Sequence, residues 1–161
     1  LRRQRQMCIW DRNISIIGYL EGLICTERTI SELINLIIEV EPSLKKQILN
    51  RSVNIKFVSK SEIQALNSQF LNKDKPTNVL SFPSEGLDLD NQLLGDIAIC
   101  PEIIRSEAST QEKENQNHLS HIILHSLLHL AGFDHEDGHS AIKMESLEVK
   151  VLRKIGIANP Y

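Results

Sequence analysis

The 161-residue sequence has only three cysteines, Cys8, Cys25 and Cys100; they are scattered, odd in number and form no CxxC pair. That pattern excludes a disulfide framework and suits reduced thiols, so a cytoplasmic location is expected. Long apolar runs are also missing. The longest, such as LINLII at 33–38, fall far short of the roughly 20 residues that cross a bilayer, so no membrane partner is expected. Neither sign of charge dominates, with 18 Lys and Arg against 21 Asp and Glu. Overall charge therefore neither suggests nor excludes a nucleic-acid partner, and contact with RNA would need a local basic patch. Internal repeats, Gly/Ser linkers and low-complexity tracts are absent. With 41% apolar residues, the length fits one domain across 1–161 with a real core. Residues 1–8, LRRQRQMC, do not begin with Met and read as a cropped start, a mispredicted start or a short basic arm. Asp11, Arg12 and Asn13 interrupt the run after Trp10, which leaves no signal-peptide core.

Periodicity supplies the elements. ISIIGYL (14–20) has β-branched strand character. TISELINLIIEV carries Ile30, Leu33, Ile34, Ile37 and Ile38 on one helical face up to Pro42, and Thr29 with Glu32 has capping-box spacing. VNIKFV (53–58) alternates like a half-buried strand, and Ser61 with Gln64 predicts the start of the helix SEIQALNSQFL. NVLSF (78–82) and GDIAIC (95–100) read as a hairpin with a long loop. Pro101 and Glu102 suit a first helical turn, and one or two helices run on to Ala131, where Gly132 is placed as a left-handed cap. A last amphipathic helix opens at Ser140, with Met144, Leu147, Val151, Leu152 and Ile155 inward. This order lacks the regular alternation of a doubly wound fold, so the expected class is α+β, a small mixed sheet packed with helices.

The chemistry concentrates in HSLLHLAGFDH, residues 125–135, which ends a helix apolar on nearly every side. His118, His121, His125 and His129 fall within roughly 80° on the helical wheel. His125 and His129, at i and i+4, can aim ring nitrogens at one point, and the turn at Gly132 can bring His135 to it. Three imidazoles leave a tetrahedral ion one open position, the arrangement of a catalytic site, most simply one zinc per chain, although other divalent transition metals accept the same donors. Asp134 is placed to orient a ligand ring. A lone histidine in an apolar helix is most often a hydrogen-bonded core residue. A stripe of them is different, because each unsatisfied ring would cost roughly 1–3 kcal/mol. His121 reads equally well as a core residue or as a group lining the cleft for substrate contact or proton transfer, and His118 equally well as a core residue or as a solvated residue near the helix start.

The spacing HxxxHxxGxxH also occurs in metzincin proteases, where Glu follows the first histidine as general base. Ser126 stands there instead, and a serine cannot replace that carboxylate. The whole segment is similar to the HGxLHLxGYDH signature of the YbeY family, bacterial metal-dependent endoribonucleases of ribosomal RNA maturation. KDKPTNVLSFP (73–83) resembles a second signature of that family, LLGDIAIC (93–100) a third, and MESLE (144–148) falls where its last helix begins. The resemblance runs from about Val53 to the C-terminus and is weak before that. It implies one α+β domain, metal ligands His125, His129 and His135, and an RNA substrate, notably the 3′ end of small-subunit ribosomal RNA. It makes Asp96 the best carboxylate for proton transfer and places KDKPTN on a wall of the cleft, while position alone makes His121 the best local imidazole. Lys73, Lys75, Thr77, Asn78 and Ser81 are the substrate-binding candidates there. As residues alone, two lysines in a polar loop are more often solvated surface, and Thr77, Asn78 and Ser81 also suit a turn and a strand start.

Three positions depart from the family pattern. Leu71 stands where the family usually has an arginine, removing a bidentate phosphate donor, so Lys73, Lys75 or Arg105 has to substitute or cleavage is weakened. Ser126 replaces the signature glycine, adding volume beside the metal, and Phe133 replaces a tyrosine. The leading expectation is a metal-dependent single-strand endoribonuclease acting on ribosomal RNA and in ribosome quality control, with the small ribosomal subunit as partner. Two others stand behind it: an RNA-binding assembly factor with a mainly structural metal, motivated by Leu71, and a peptidase or other zinc hydrolase.

Overall fold

A computed structural model describes residues 13–84, 92–135 and 137–161; the start at 1–8, with Cys8, lies outside the described residues. In chain order the elements are β1 (Ile14–Ile17), α1 (Glu27–Val40), a 3-10 turn (Pro42–Leu44), α2 (Lys45–Ile48), β2 (Ser52–Phe57), α3 (Lys60–Leu71), β3 (Val79–Pro83), β4 (Leu93–Ile99), α4 (Pro101–Thr110), α5 (Asn115–Leu130) and α6 (Gly138–Lys154). The strands form one mixed sheet in the order β1-β2-β4-β3. β1 pairs parallel to β2 and β2 parallel to β4, while β3 runs antiparallel to β4, as the hairpin reading anticipated.

Alternation decides what each face carries. In β2, Val53, Ile55 and Phe57 are buried while Asn54 and Lys56 are exposed. In β4, Ile97 and Ile99 join the main core with residues of α1, α5 and α6. Ala98 and Cys100 point the other way, into a smaller cluster with Val58, Ile63 and Leu80 under α3. Helices therefore cover both faces, and α5 lies in the main core with Leu119, Leu124 and Leu128 fully buried. At roughly 1.5–3 kcal/mol per buried Leu or Ile, those side chains hold α5 as a rigid support. Gly95 is needed where α5 crosses the hairpin, because a Cβ there would lie 2.5 Å from the Phe82 carbonyl oxygen and 2.6 Å from Leu130 Cδ2.

Several boundaries differ from those the sequence suggested. Thr26, not Thr29, caps α1, with Thr29 closing the box, and Glu32 instead pairs with Arg28 at 2.8 Å. Ser59, not Ser61, caps α3 with Glu62, while Gln64 donates to Asp74 at 2.9 Å. Capping spacing recurs in overlapping frames, and the earlier frame adds helical hydrogen bonds. Asp137 caps α6, accepting from the backbone N–H groups of His139 and Ser140 at 3.0 and 2.9 Å, so the helix opens before Ser140 and MESLE lies within it. The short helical turns at 42–48 had no sequence signal.

Candidate metal centre and its cleft

α5 ends in a Schellman turn. Phe133 N–H donates to Leu128 O at 3.0 Å, Gly132 N–H donates to His129 O at 3.0 Å, and Gly132 takes a φ of +94°. The turn sends His135 back toward the helix it has just left. His125, His129 and His135 each offer a ring nitrogen, and these atoms lie within 4.8 Å of one another. The Nε2 atoms of His125 and His129 are 3.0 Å apart. Two ligands on a tetrahedral ion at 2.0–2.1 Å would stand about 3.3 Å apart, so the spacing fits the donor set of a transition metal.

The remaining ring nitrogens of His125 and His129 are fixed by the protein. His125 Nδ1 donates to Glu148 Oε1 at 2.7 Å, and His129 Nδ1 donates to the Phe133 carbonyl oxygen at 2.9 Å. Both bonds select the tautomer that leaves Nε2 free to bind a cation. Burial, with His125 and His135 as neighbours, lowers the His129 pKa below its ordinary 6.5. That favours the neutral ring a metal requires.

Glu148, fully buried on α6, is the residue that sequence reasoning missed. Burial alone would raise its pKa, but the nearby His121 ring and hydrogen bonds from His125 and Tyr161 outweigh that effect and hold it at about 2. Tyr161 donates its hydroxyl to Glu148 Oε2, which raises the tyrosine pKa further above its usual range after burial has done the same. The loop before Tyr161 is anchored by Lys113 Nζ donating to Pro160 O at 2.7 Å. One signal for Glu148 existed in the sequence: it lies on the apolar stripe of α6 beside Met144, Leu147 and Val151, where a carboxylate needs a partner.

The histidines open into a cleft of ≈ 1100 Å³ that is also lined by Asn78, Ser81, His121 and Tyr161, and by Phe70 and Leu71. His121 lies 3.5 Å from the Tyr161 hydroxyl and 3.7 Å from Glu148 Oε1. Asn78 donates to Glu107 Oε2 at 3.0 Å, and the same oxygen meets His118 Nε2 at 2.8 Å. His118 is thus a buried, paired core residue, 4% exposed, rather than a solvated one. Asp134 borders the cleft and accepts from His135 N–H at 2.6 Å, shaping the loop that carries the third ring.

Other candidates are carried elsewhere. Asp96 is exposed on the sheet face opposite α5, where it accepts from Asn54 Nδ2 at 2.7 Å; strand alternation keeps it from the histidines. Lys73 and Lys75 are exposed, and neither they nor Thr77 line the cleft. Arg105 does not substitute at Leu71, because its guanidinium is bound to the Glu21 carboxylate and donates to Glu21 O at 2.8 Å. Arg51 is the cleft arginine that the sequence did not single out. Ser126 adds no volume to the cleft: it is buried with its hydroxyl donating to Ile122 O at 2.8 Å. Phe133 packs against the main core and lies under Lys143 Nζ at 5.7 Å. Among the described residues no helix is long and apolar enough to cross a membrane.

The sequence pattern of Endoribonuclease YbeY matches residues 21–156. An Endoribonuclease YbeY from Francisella tularensis subsp. holarctica strain LVS is 42% identical over 98% of this chain and 94% of its own. One from subsp. novicida strain U112 is 50% identical over 73% and 75%. The solution structure of TM1509 from Thermotoga maritima aligns with a TM-score of 0.56 and 30% identity, covering 89% of this chain and 91% of that one. A match of this extent, carried by relatives that share most of its length, means that the chain belongs to the Endoribonuclease YbeY family.

Proposed function

We infer that this metal-dependent endoribonuclease uses zinc, held by His125, His129 and His135, to cut single-stranded ribosomal RNA in the cytoplasm. Its substrate is the 3′ end of small-subunit ribosomal RNA, with a further role in ribosome quality control and the small ribosomal subunit as partner. The observation that carries this reading is the convergence of three ring nitrogens within 4.8 Å at a cleft open to solvent. A bound ion would supply Lewis acidity at the scissile phosphate. The protein's own groups do the rest. Glu148 and the Phe133 carbonyl orient the ligand rings, and His121, beside Tyr161 in the cleft, is the imidazole placed to move a proton. Asn78 and Ser81 contact the strand inside the cleft, while Lys73, Lys75 and Thr77 meet its flanks. Asp96, on the opposite face, takes no part in the proton transfer.

Cleavage of a precursor carrying the small-subunit 3′ end by protein loaded with one zinc per chain is the expected result. Stoichiometric metal with no cleavage of RNA, even with ribosomes present, would defeat it. A second reading, an RNA-binding factor with weak nuclease activity, is favoured by exposed Leu71 on the cleft lip. Leu71→Arg separates them: a clear gain in cleavage identifies an enzyme lacking one phosphate donor, whereas unchanged cleavage with RNA binding intact identifies the binding role.

A further inference from the structure

The part of the cleft lined by Phe70 and Leu71 is apolar where a phosphate grip would need cations. Phe70 and Leu71 end α3 with 55% and 51% of their surfaces exposed, and both line the cleft. The Phe70 ring meets the Phe82 ring at 5.1 Å between centroids and 64° between planes, so a strand residue braces it. Apolar side chains left in water at the edge of a cleft mark a contact surface. Among the described residues, Arg51 is the one Lys or Arg lining the cleft. Its guanidinium donates to Gln47 O at 3.1 Å and Leu93 O at 2.8 Å. A strand entering here meets few side-chain cations for its phosphates. It does meet an aromatic ring held ready, with Leu71 beside it.

Resting on the RNA reading above, we propose that Phe70 and Leu71, backed by Phe82, form a base-stacking subsite for one unpaired nucleobase of the strand whose phosphate reaches the histidines. Stacking reads a π-face rather than a hydrogen-bond pattern, so the subsite accepts every base and favours purines for their larger faces. A base inside a duplex is stacked on both faces and has none to offer. The subsite therefore selects single strands through the same contact that binds them.

The test is fluorescence anisotropy with the full chain and a chelator present to stop cleavage, using labelled oligoadenylate, oligouridylate and an abasic ribose-phosphate oligomer. The parent chain binds them in that order of decreasing affinity. Phe70→Ala weakens oligoadenylate binding about tenfold, leaves the abasic oligomer unaffected, and does not alter the salt dependence. Phe70→Leu, which keeps apolar volume at this exposed position without a π-face, gives the same loss, and Phe70→Tyr retains the parent affinity. Equal oligoadenylate binding by the parent and Phe70→Leu, or a loss equal on base-bearing and abasic strands, overturns the subsite while leaving the RNA reading in place. Failure of the parent to bind any strand overturns both.

Discussion

On one wall of the cleft, α5 presents histidines from a helix buried in the main core, with two of the ligand rings tied down through their second nitrogen. On the other, Phe70 and Leu71 stand in solvent with a single aromatic brace. The first wall is preorganised by buried hydrogen bonds, where a misplaced ring loses its hydrogen-bond partner and its convergence with the other rings. The second offers an aromatic face rather than a fixed hydrogen-bond direction, and tolerates exchange only for another aromatic ring. Chemistry is thus concentrated on the rigid wall, and grip on the open one.

The comparison breaks most decisively at a ligand. His125→Ala or His129→Ala should abolish stoichiometric metal and bring RNA cleavage below about 1% of the parent, because two donors from one wall do not hold a catalytic ion. Elemental analysis and cleavage assays check this, and a variant that still cuts while metal-free would sink the site. Glu148→Gln should weaken metal binding by about 10–100-fold in competition with a chromophoric chelator, since the amide no longer anchors His125 as a carboxylate does. An unchanged affinity would mean that the ring needs no such anchor.

Two glycines sharpen the comparison between packing and backbone. Gly95→Ala forces a Cβ against the Phe82 carbonyl and Leu130 and should cost about 1–3 kcal/mol. Gly132→Ala meets nothing within 4 Å, so only its positive φ is penalised, by about 1–2 kcal/mol. In thermal melts Gly95→Ala should therefore fall at least as far as Gly132→Ala, while the latter shows the larger loss of metal affinity. The reverse pattern would contradict the assignment of one glycine to packing and the other to the ligand turn.

The smallest effect is on acid stability of the metal-free chain. Glu148 titrates at about 2 in the fold against 4.5 ordinarily, so below 4.5 the unfolded state binds more protons. Its contribution is fully present above 4.5 and is lost as pH falls toward about 2. His129, lowered below 6.5, acts in the same direction at higher pH: its contribution is present above 6.5 and is lost as pH falls through the lowered value. Melting temperatures should decline from near neutrality downward, and Glu148→Gln should flatten only the lower part of that decline. A uniform change across the whole range would show that Glu148 is not the titrating group.

Local chemistry was legible and long-range packing was not. His125 and His129 share a helix face by arithmetic, and Gly132 marks the turn that returns His135, so the three rings were readable as a set. Glu148 is 23 residues from His125 and meets it only because α6 packs beside α5. Asp96 stood in a recognisable motif, yet its side chain takes the face that strand alternation assigns it, away from the histidines. Arg105 was an available cation on paper and is held by Glu21 in the fold. The capping frames at Thr26 and Ser59 were missed by two or three residues because the same spacing recurs nearby.

By itself, the sequence determined that a glycine-capped histidine turn ends a buried helix in an α+β domain, since helical period, glycine φ and imidazole chemistry act over a few residues. Only the tertiary structure decided which carboxylate steadies His125, which arginine borders the cleft, and that Phe70 and Leu71 line it. Those outcomes depend on which surfaces of distant segments exclude water together, and no local pattern encodes that.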